Sequence, residues 1–571
     1  MDTRRGGAPR GIARFIPGLA VARTYERAWL PRDLVAGLVL TALLVPQGMA
    51  YAELAGLPAI TGLYTSIICL LAYAVFGPSR ILVLGPDSSL GPMIAATILP
   101  LVGADGDPAK AIALASMLAL LVGACMILAG VCRLGFIADL FSKPTQIGYM
   151  NGLALTILVG QLPKLFGFSV DADSFLEELR GFVRGLADGR AVGAALAVGI
   201  LGLVIILTSG RLWPRVPGVL IAVVAGIVAV VAFDLESRGV ALVGELPKGF
   251  PPLTLPGVEL AHVPLLLAGA LGITLVALTD TISTSSAFAE RTGQEIDADQ
   301  EMIGIGAANL TAGLFQGFSV STSGSRTAVA EQAGAKTQLT GVVGALTIAG
   351  MLLVAPGLFR NLPQPVLASV VIAASLSLAD LPAMTRLWRQ RRTDFAVALT
   401  AFGGVALVGV LPGIALAVVI SILNVFRKMW MPYRVELGRV EGLDGYHDRD
   451  VHPEGTTPDG LVLFRFDAPL LFANARTFRD EVRMLAATDP PPTWIVVAAE
   501  PITDIDTTAA DMLEDLDLEL NARGISLVFA DMKTPVREKV QRYELTRTID
   551  PRHFFTTIDE AVEAFEARGT S

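Results

Sequence analysis

Apolar stretches long enough to cross a bilayer recur from about residue 33 to about residue 427, separated only by short polar or Gly/Pro-containing joints. That repetition leaves the chain little choice of solvent. With 53% hydrophobic residues, 17% charged residues and a mean hydropathy of +0.60, it lies outside the range of soluble globular proteins. After Arg434 the pattern stops, and Asp, Glu and Arg become dense among elements of ordinary soluble length. A second, water-exposed domain is therefore expected.

Breaks at Gly, Pro and charge place spans near 33–50, 61–77, 88–102, 111–131, 145–165, 191–209 and 216–234. A second set of seven lies near 264–288, 301–318, 325–334, 338–356, 365–380, 394–409 and 411–428. An even total returns the chain to its starting side. Lys and Arg accumulate in cytoplasmic loops. If the N-terminus with Arg4, Arg5, Arg10, Arg14, Arg23 and Arg27 is inside, then Arg133, Lys143, Arg211, Arg215, the 386–392 cluster and Arg427 to Arg434 fall inside too. Both termini are then cytoplasmic in a multi-pass cell-membrane protein. The loop 290–301 is acidic although it is expected inside, but acidic residues weigh little in this rule. No apolar run precedes the first span, so no cleaved signal peptide is read.

The net charge of −9 reflects largely the C-terminal part and points to solubility rather than a nucleic-acid partner. Cys69, Cys125 and Cys132 lie in or beside apolar segments without metal-ligand spacing, and the four histidines are scattered. No metal, haem or other cofactor is expected. The domain organisation read from these shifts is a basic N-terminus at 1–32, a membrane domain at 33–430, a linker with a first strand region at 431–459, and a small α/β domain at 460–571. That last domain has strands at 461–466, 494–499 and 525–530, and helical patterns around 474–487, 508–523, 533–543 and 557–567. It has neither a phosphate-cradling glycine loop nor a paired nucleophile and base, so no enzyme is expected.

The third and tenth membrane segments are short and Gly/Ser-rich, at matching positions in the two halves. Such a pair is the sequence pointer to a midplane site in an inverted-repeat transporter. Two half-helices meeting there would aim free N–H groups and positive dipole ends at one spot, which favours an anion. Ser88, Ser89, Ser323 and Ser325 supply hydroxyl donors. Arg326 supplies a forked positive charge, with the anion-facing reading preferred over a purely structural ion pair. Asp280, inside an apolar helix, can hold Na+ with Thr281 and Thr284 or carry a proton; the bland alternative is a buried pair with Arg326. Asp87 before a helix is read first as an N-cap and second as a ligand. Gln47 and Tyr51, one turn apart on the first span, offer neutral donors to the same cavity.

Pro46-Gln47-Gly48-Met49-Ala50-Tyr51, Gly62-Leu63-Tyr64, Gly77-Pro78-Ser79-Arg80 and Ser323-Gly324-Ser325-Arg326-Thr327-Ala328 resemble the SulP anion permeases, solute-carrier family 26 in animals. The run from Gly293 to Asn309, with Glu301, resembles the turn between that family's eighth and ninth helices. Residues from Leu461, with Asp504-Ile505-Asp506-Thr507-Thr508-Ala509, resemble its STAS domain. The resemblance implies fourteen transmembrane helices in two inverted seven-helix repeats, a core and a gate domain, and an elevator-type exchange of access.

It also implies an anion held by Gln47, Tyr51, Asp87, Ser88 and Ser323 to Arg326, a cation-coupling role for Asp280, and a homodimer. Sulfate is the first substrate expected, with H+ or Na+ coupling; bicarbonate, a dicarboxylate, an exchanger or a channel are the alternatives. Thr61 and Pro78 depart from the family signature, outside the expected site. Relatives of the STAS domain suggest a phosphorylation switch at Thr507 or Thr508 and a cytoplasmic regulator, although N-capping is the preferred reading there. A membrane sensor reporting anion occupancy to the C-terminal domain is a further competing reading.

Overall fold

The computed structural model describes residues 16–569 apart from 104–105, 136–141, 171, 173, 213–216 and 293–296. Arg4, Arg5, Arg10, Arg14, Arg215, Gly293 and the middle of the acidic loop lie outside the described residues. The chain forms two units, the first ending at Ser421 and the second beginning at Ile422.

In the first unit the helices are α1 (Pro17–Arg23), α2 (Leu30–Leu54), α3 (Ala59–Phe76), α4 (Gly91–Val102), α5 (Pro108–Val131), α6 (Lys143–Leu165), α7 (Phe175–Ala187), α8 (Gly193–Leu212) and α9 (Gly218–Phe233). They continue with α10 (Val263–Thr292), α11 (Ala298–Leu314), α12 (Gly324–Gln332), α13 (Leu339–Val354), α14 (Gln364–Leu378), α15 (Leu381–Gln390), α16 (Arg392–Gly403) and α17 (Val410–Trp430). A helix lies over each of the fourteen apolar segments. Among the described residues, seven helices are long and apolar enough to cross a membrane by length and composition, and α4, α9 and α13 are shorter apolar helices. α7 and α15 are additional short helices with one apolar face, which total hydropathy passes over.

Small residues let the helices close on one another. A Cβ on Gly62 of α3 would stand 1.9 Å from the carbonyl oxygen of Gly48 on α2, so that pair of motif glycines brings two backbones into contact. Asp33, at the start of α2, is fully buried and accepts from Lys336 N at 2.7 Å, Thr337 N at 3.2 Å and Thr337 Oγ1 at 2.7 Å. It thereby fixes the chain entering α13.

Two strands interrupt the helices, β1 (Leu84–Gly85) and β2 (Ser321–Thr322), paired antiparallel. The second unit contains β3 (Arg434–Arg439), β4 (Tyr446–Asp448), β5 (Leu461–Phe466), β6 (Trp494–Ala498), β7 (Ser526–Ala530) and β8 (Phe554–Phe555) in one sheet of order β4-β3-β5-β6-β7-β8. β5 to β8 run parallel, and β3 is antiparallel to both its neighbours. Helices α18 (Ala475–Ala486), α19 (Thr507–Ala522) and α20 (Thr534–Arg542) cover one face through Phe464, Phe478, Val482, Leu513, Leu516 and Val536. α21 (Ile558–Gly569) covers the other through Trp494, Val496, Ala561 and Val562. The sheet begins at Arg434, ahead of the domain start expected at 460, because β3 hydrogen-bonds directly to β5.

Candidate functional site

The residues leading into α4 and α12 are extended, and they pair: Leu84 with Thr322 and Gly85 with Ser321. The joint is pinned on both sides. Val83 N donates to Thr327 Oγ1 at 3.0 Å and Ser323 N to Val83 O at 3.1 Å. Asn309 of α11 takes both backbone groups of Val320, donating to its oxygen at 3.1 Å and accepting from its nitrogen at 2.9 Å. Ser323 then caps α12, its hydroxyl accepting from Arg326 N. Two short helices thus follow the two strands of one two-rung antiparallel ladder, α12 directly after β2 and α4 six residues after β1.

Beside the ladder lies a cavity of about 530 Å3. Its walls include Gln47 and Tyr51 of α2, Asp87 and Ser88 before α4, Gln146 and Met150 of α6, Asp280, Ser283 and Thr284 of α10, Thr322 to Ser325, and residues of α14 from Val370 to Leu378. Of the side chains expected to form the site, Ser89, Thr281 and Arg326 are not on its walls. Gln146 and Ser283 were not expected. Gln146 lies one turn from Met150 on a span that also carries Thr145, Asn151, Thr156 and Gln161, so its polarity alone does not single it out.

Arg326 is fully buried and does not line the cavity. Its Nη1 donates to Pro86 O at 2.6 Å, and its Nη2 lies 3.4 Å from Gly85 O and 3.5 Å from Asp87 Oδ2. The expectation of an anion-facing guanidinium is corrected accordingly: two carbonyls and a carboxylate of the β1–α4 turn occupy the fork. A guanidinium without such partners in hydrocarbon would cost several kcal/mol, on the order of 3 or more. Gly85 makes room for it, because a Cβ there would stand 2.7 Å from Nη1. The alternative pairing of Arg326 with Asp280 is replaced as well, since the carboxylate it meets is Asp87.

Asp87 is not the N-cap of α4, which opens only at Gly91. Its Oδ1 accepts from Ser89 N at 2.9 Å and Ser89 Oγ at 2.7 Å. Ser89 Oγ also lies 3.2 Å from Asp280 Oδ2, and the buried phenol of Tyr149 on α6 bears on the same carboxylate. Tyr51 and Ser88, which both line the cavity, form a separate hydrogen-bonded pair. Two carboxylates therefore edge the cavity, and one guanidinium stands behind the first. On formal charges alone the site repels an anion. The two helix starts contribute roughly half a positive charge each, so neutralising one carboxylate turns the balance to attraction.

The chain matches the Sulfate permease family over residues 30–401 and the STAS domain over residues 452–561. The chain belongs to the sulfate permease family. It is a membrane transporter of that family and not an enzyme. A probable sulfate transporter of Mycobacterium tuberculosis (strain ATCC 25618 / H37Rv) is 40% identical over 557 residues, 97% of this chain and 99% of that one. The high affinity sulfate transporter 1 of Stylosanthes hamata is 28% identical, over 97% of this permease and 86% of the relative. Among solved structures, the murine solute carrier 26 family member A9 in its inward-facing state superposes with a TM-score of 0.90 at 23% identity, covering 99% and 96% of the two chains. The transmembrane domain of the cyanobacterial bicarbonate transporter BicA gives 0.60 at 22% identity, over 70% of this permease and 98% of that domain. These last two likenesses establish the fold.

In the C-terminal unit, Thr507 and Thr508 are exposed at the start of α19. Asp506 caps that helix, accepting from Ala509 N at 2.8 Å and from Phe472 N at 2.7 Å.

Proposed function

We propose that this permease carries sulfate across the cell membrane together with a cation, H+ or Na+, held at Asp280. The observation that carries the reading is the charge pattern of the cavity: two carboxylates, Asp87 and Asp280, and one guanidinium already engaged by the first. A dianion entering beside an ionised Asp280 meets repulsion. A cation on Asp280 removes it, so the two ligands favour each other by linkage. Sulfate then takes its donors from Gln47, Tyr51, Ser88, Ser323, Ser325 and the backbone at Gly324, with Arg326 holding the β1–α4 turn in shape. The names of the curated relatives support sulfate as the substrate.

The same reading has fourteen spans in two inverted repeats, an elevator movement of a core past a gate, cytoplasmic termini, and a homodimer. We keep 33–430 as the transporter domain. The C-terminal unit acts as a regulatory module that a cytoplasmic partner or a phosphate at Thr507 or Thr508 can address, a helix start being favourable for added negative charge. The test is uptake of radiolabelled sulfate into proteoliposomes under an imposed H+ or Na+ gradient, with bicarbonate, chloride and small dicarboxylates as competitors. Accumulation above equilibrium under one gradient supports the reading. Sulfate flux that ignores both gradients, or preference for a competitor, overturns it.

A further inference from the structure

Ser89 is 1% exposed, lies deeper than the cavity wall, and has one hydroxyl hydrogen for two carboxylate oxygens. Its oxygen is 2.7 Å from Asp87 Oδ1 and 3.2 Å from Asp280 Oδ2. The hydrogen goes to the shorter contact, where Asp87 also receives Ser89 N at 2.9 Å. What remains between Ser89 and Asp280 is oxygen facing oxygen. That contact is a hydrogen bond only if Asp280 brings the hydrogen. Beyond Asp87 the line continues to Arg326 through the other carboxylate oxygen, and from Arg326 to the carbonyls of Gly85 and Pro86.

We propose that Ser89 is the positioning residue through which a proton on Asp280 sets the anion site: protonated Asp280 donates to Ser89, Ser89 donates to Asp87, and Asp87 holds Arg326 against the β1–α4 turn. This rests on the reading of Asp280 as the cation site and makes the cation a proton. The charged and titratable groups around Asp280 are few. Asp87 faces it from the turn before α4, Tyr149 from α6, and Arg326 of α12 reaches it only through Asp87; Tyr51 of α2 lies nearer Asp87. Losing the proton leaves Ser89 with two acceptors and one hydrogen, so the grip on Asp87 weakens as the repulsion of the anion returns. Anion and proton are thereby coupled through a side chain that touches neither the bulk solvent nor the anion.

The direction of one shift separates this relay from a merely structural serine. Equilibrium binding of radiolabelled sulfate to the full chain in nanodiscs is measured from pH 5 to 9 in sodium-free buffer. The wild-type affinity should fall by up to about tenfold per pH unit above its midpoint, the slope of one linked proton, and Asp280→Asn should flatten the profile. In Ser89→Ala the protonated carboxyl loses its acceptor and Asp87 its hydroxyl donor, so the midpoint should move to lower pH by about one unit and sulfate affinity should also fall several-fold at the acid end. Ser89→Thr keeps the hydroxyl and should restore the wild-type midpoint.

A midpoint that moves to higher pH in Ser89→Ala, or stays in place, overturns the relay while leaving Asp280 as the cation site. A profile in Asp280→Asn that matches the wild type overturns the Asp280 reading itself. Recovery of wild-type affinity at alkaline pH on adding Na+ overturns the proton. Should Ser89→Ala fail to fold, infrared difference spectra decide instead: a protonated-carboxyl band that Asp280→Asn removes and Ser89→Thr shifts supports the relay, and a band that Ser89→Thr leaves in place, or the absence of any at acid pH, overturns it.

Discussion

Two of the aspartates that precede helices in this molecule, Asp506 and Asp87, serve different ends. Asp506 in the C-terminal unit caps α19 and takes two backbone N–H groups. Asp87 in the membrane unit stands four residues ahead of α4, holding Ser89 with one oxygen and facing Arg326 with the other. The difference follows from the neighbour, since Asp107, Asp297 and Asp380 of the membrane unit cap α5, α11 and α15 as Asp506 caps α19. Where no buried charge competes, the orphan N–H groups of a helix are a carboxylate's best partners. At Asp87 a buried guanidinium has the stronger claim, because leaving it alone costs more than leaving a helix start uncapped.

The largest effect expected from breaking this contrast is at Arg326. Arg326→Ala leaves Asp87 and two carbonyls without their donor, and sulfate affinity measured by equilibrium binding should fall tenfold or more, about 1.4 kcal/mol per decade. Arg326→Lys should not rescue it, since a point charge cannot serve three acceptors in the geometry of a fork. Gly85→Ala attacks the same place from the other side. Its Cβ would stand 2.7 Å from Nη1, so a several-fold loss of sulfate affinity is expected, with the C-terminal unit unchanged in hydrogen exchange.

Smaller effects are expected in the water-facing domain. A fragment starting at 432 should be a folded monomer, whereas one starting at 460 lacks β3 and β4 and bares the edge of β5. Light scattering should show the shorter one associating. Asp506→Ala should cost the longer fragment about 1 kcal/mol in denaturant unfolding and leave sulfate binding by the full chain intact; a loss of sulfate affinity there would erase the contrast between the two aspartates.

The smallest effect concerns Asp517 on α19, whose carboxyl burial pushes up to about 6. The folded domain holds that proton more tightly than the unfolded chain does. Its contribution to stability is therefore full below about pH 4 and is lost as pH rises through about 6. Asp517→Asn keeps a partner for Asn521, which now donates to Asp517 Oδ2 at 2.9 Å, and should stabilise the fragment at pH 7 by about 1 kcal/mol while changing nothing at pH 4. A destabilised variant at neutral pH would show the charged form to be the one the fold prefers.

Much of the membrane unit is legible because hydropathy dominates there: a helix stands over each apolar segment, and the residues at the starts of the two short Gly/Ser-rich ones border the cavity. α7 and α15 escape such a reading because their charged faces lower the average hydropathy. Arg326 is legible as a membrane-depth charge that needs partners but not as a turn-holding one. Which acceptors a buried guanidinium finds depends on the register of β1 against β2, and four residues with no periodicity of their own do not announce a ladder. A strand region is legible at 431–459, but its division into β3 and β4 and the pairing of β3 with β5 are not, because they depend on register rather than on periodicity. Ser89 was named only as one hydroxyl among several; its place between two carboxylates needs α10 and the α4 turn brought together from 191 positions apart.

The two-rung ladder of β1 and β2 also bears on which insertions the family can accept. A long sheet dilutes a one-residue insertion over many rungs, but here a single extra residue at 84–85 or 321–322 would turn Gly85 out of the path of Arg326 and put a side chain in. Length variation among homologues should therefore crowd into the joints between helices and vanish at these four positions, where the gap pattern of an alignment would mark the ladder beside the cavity more sharply than residue identity.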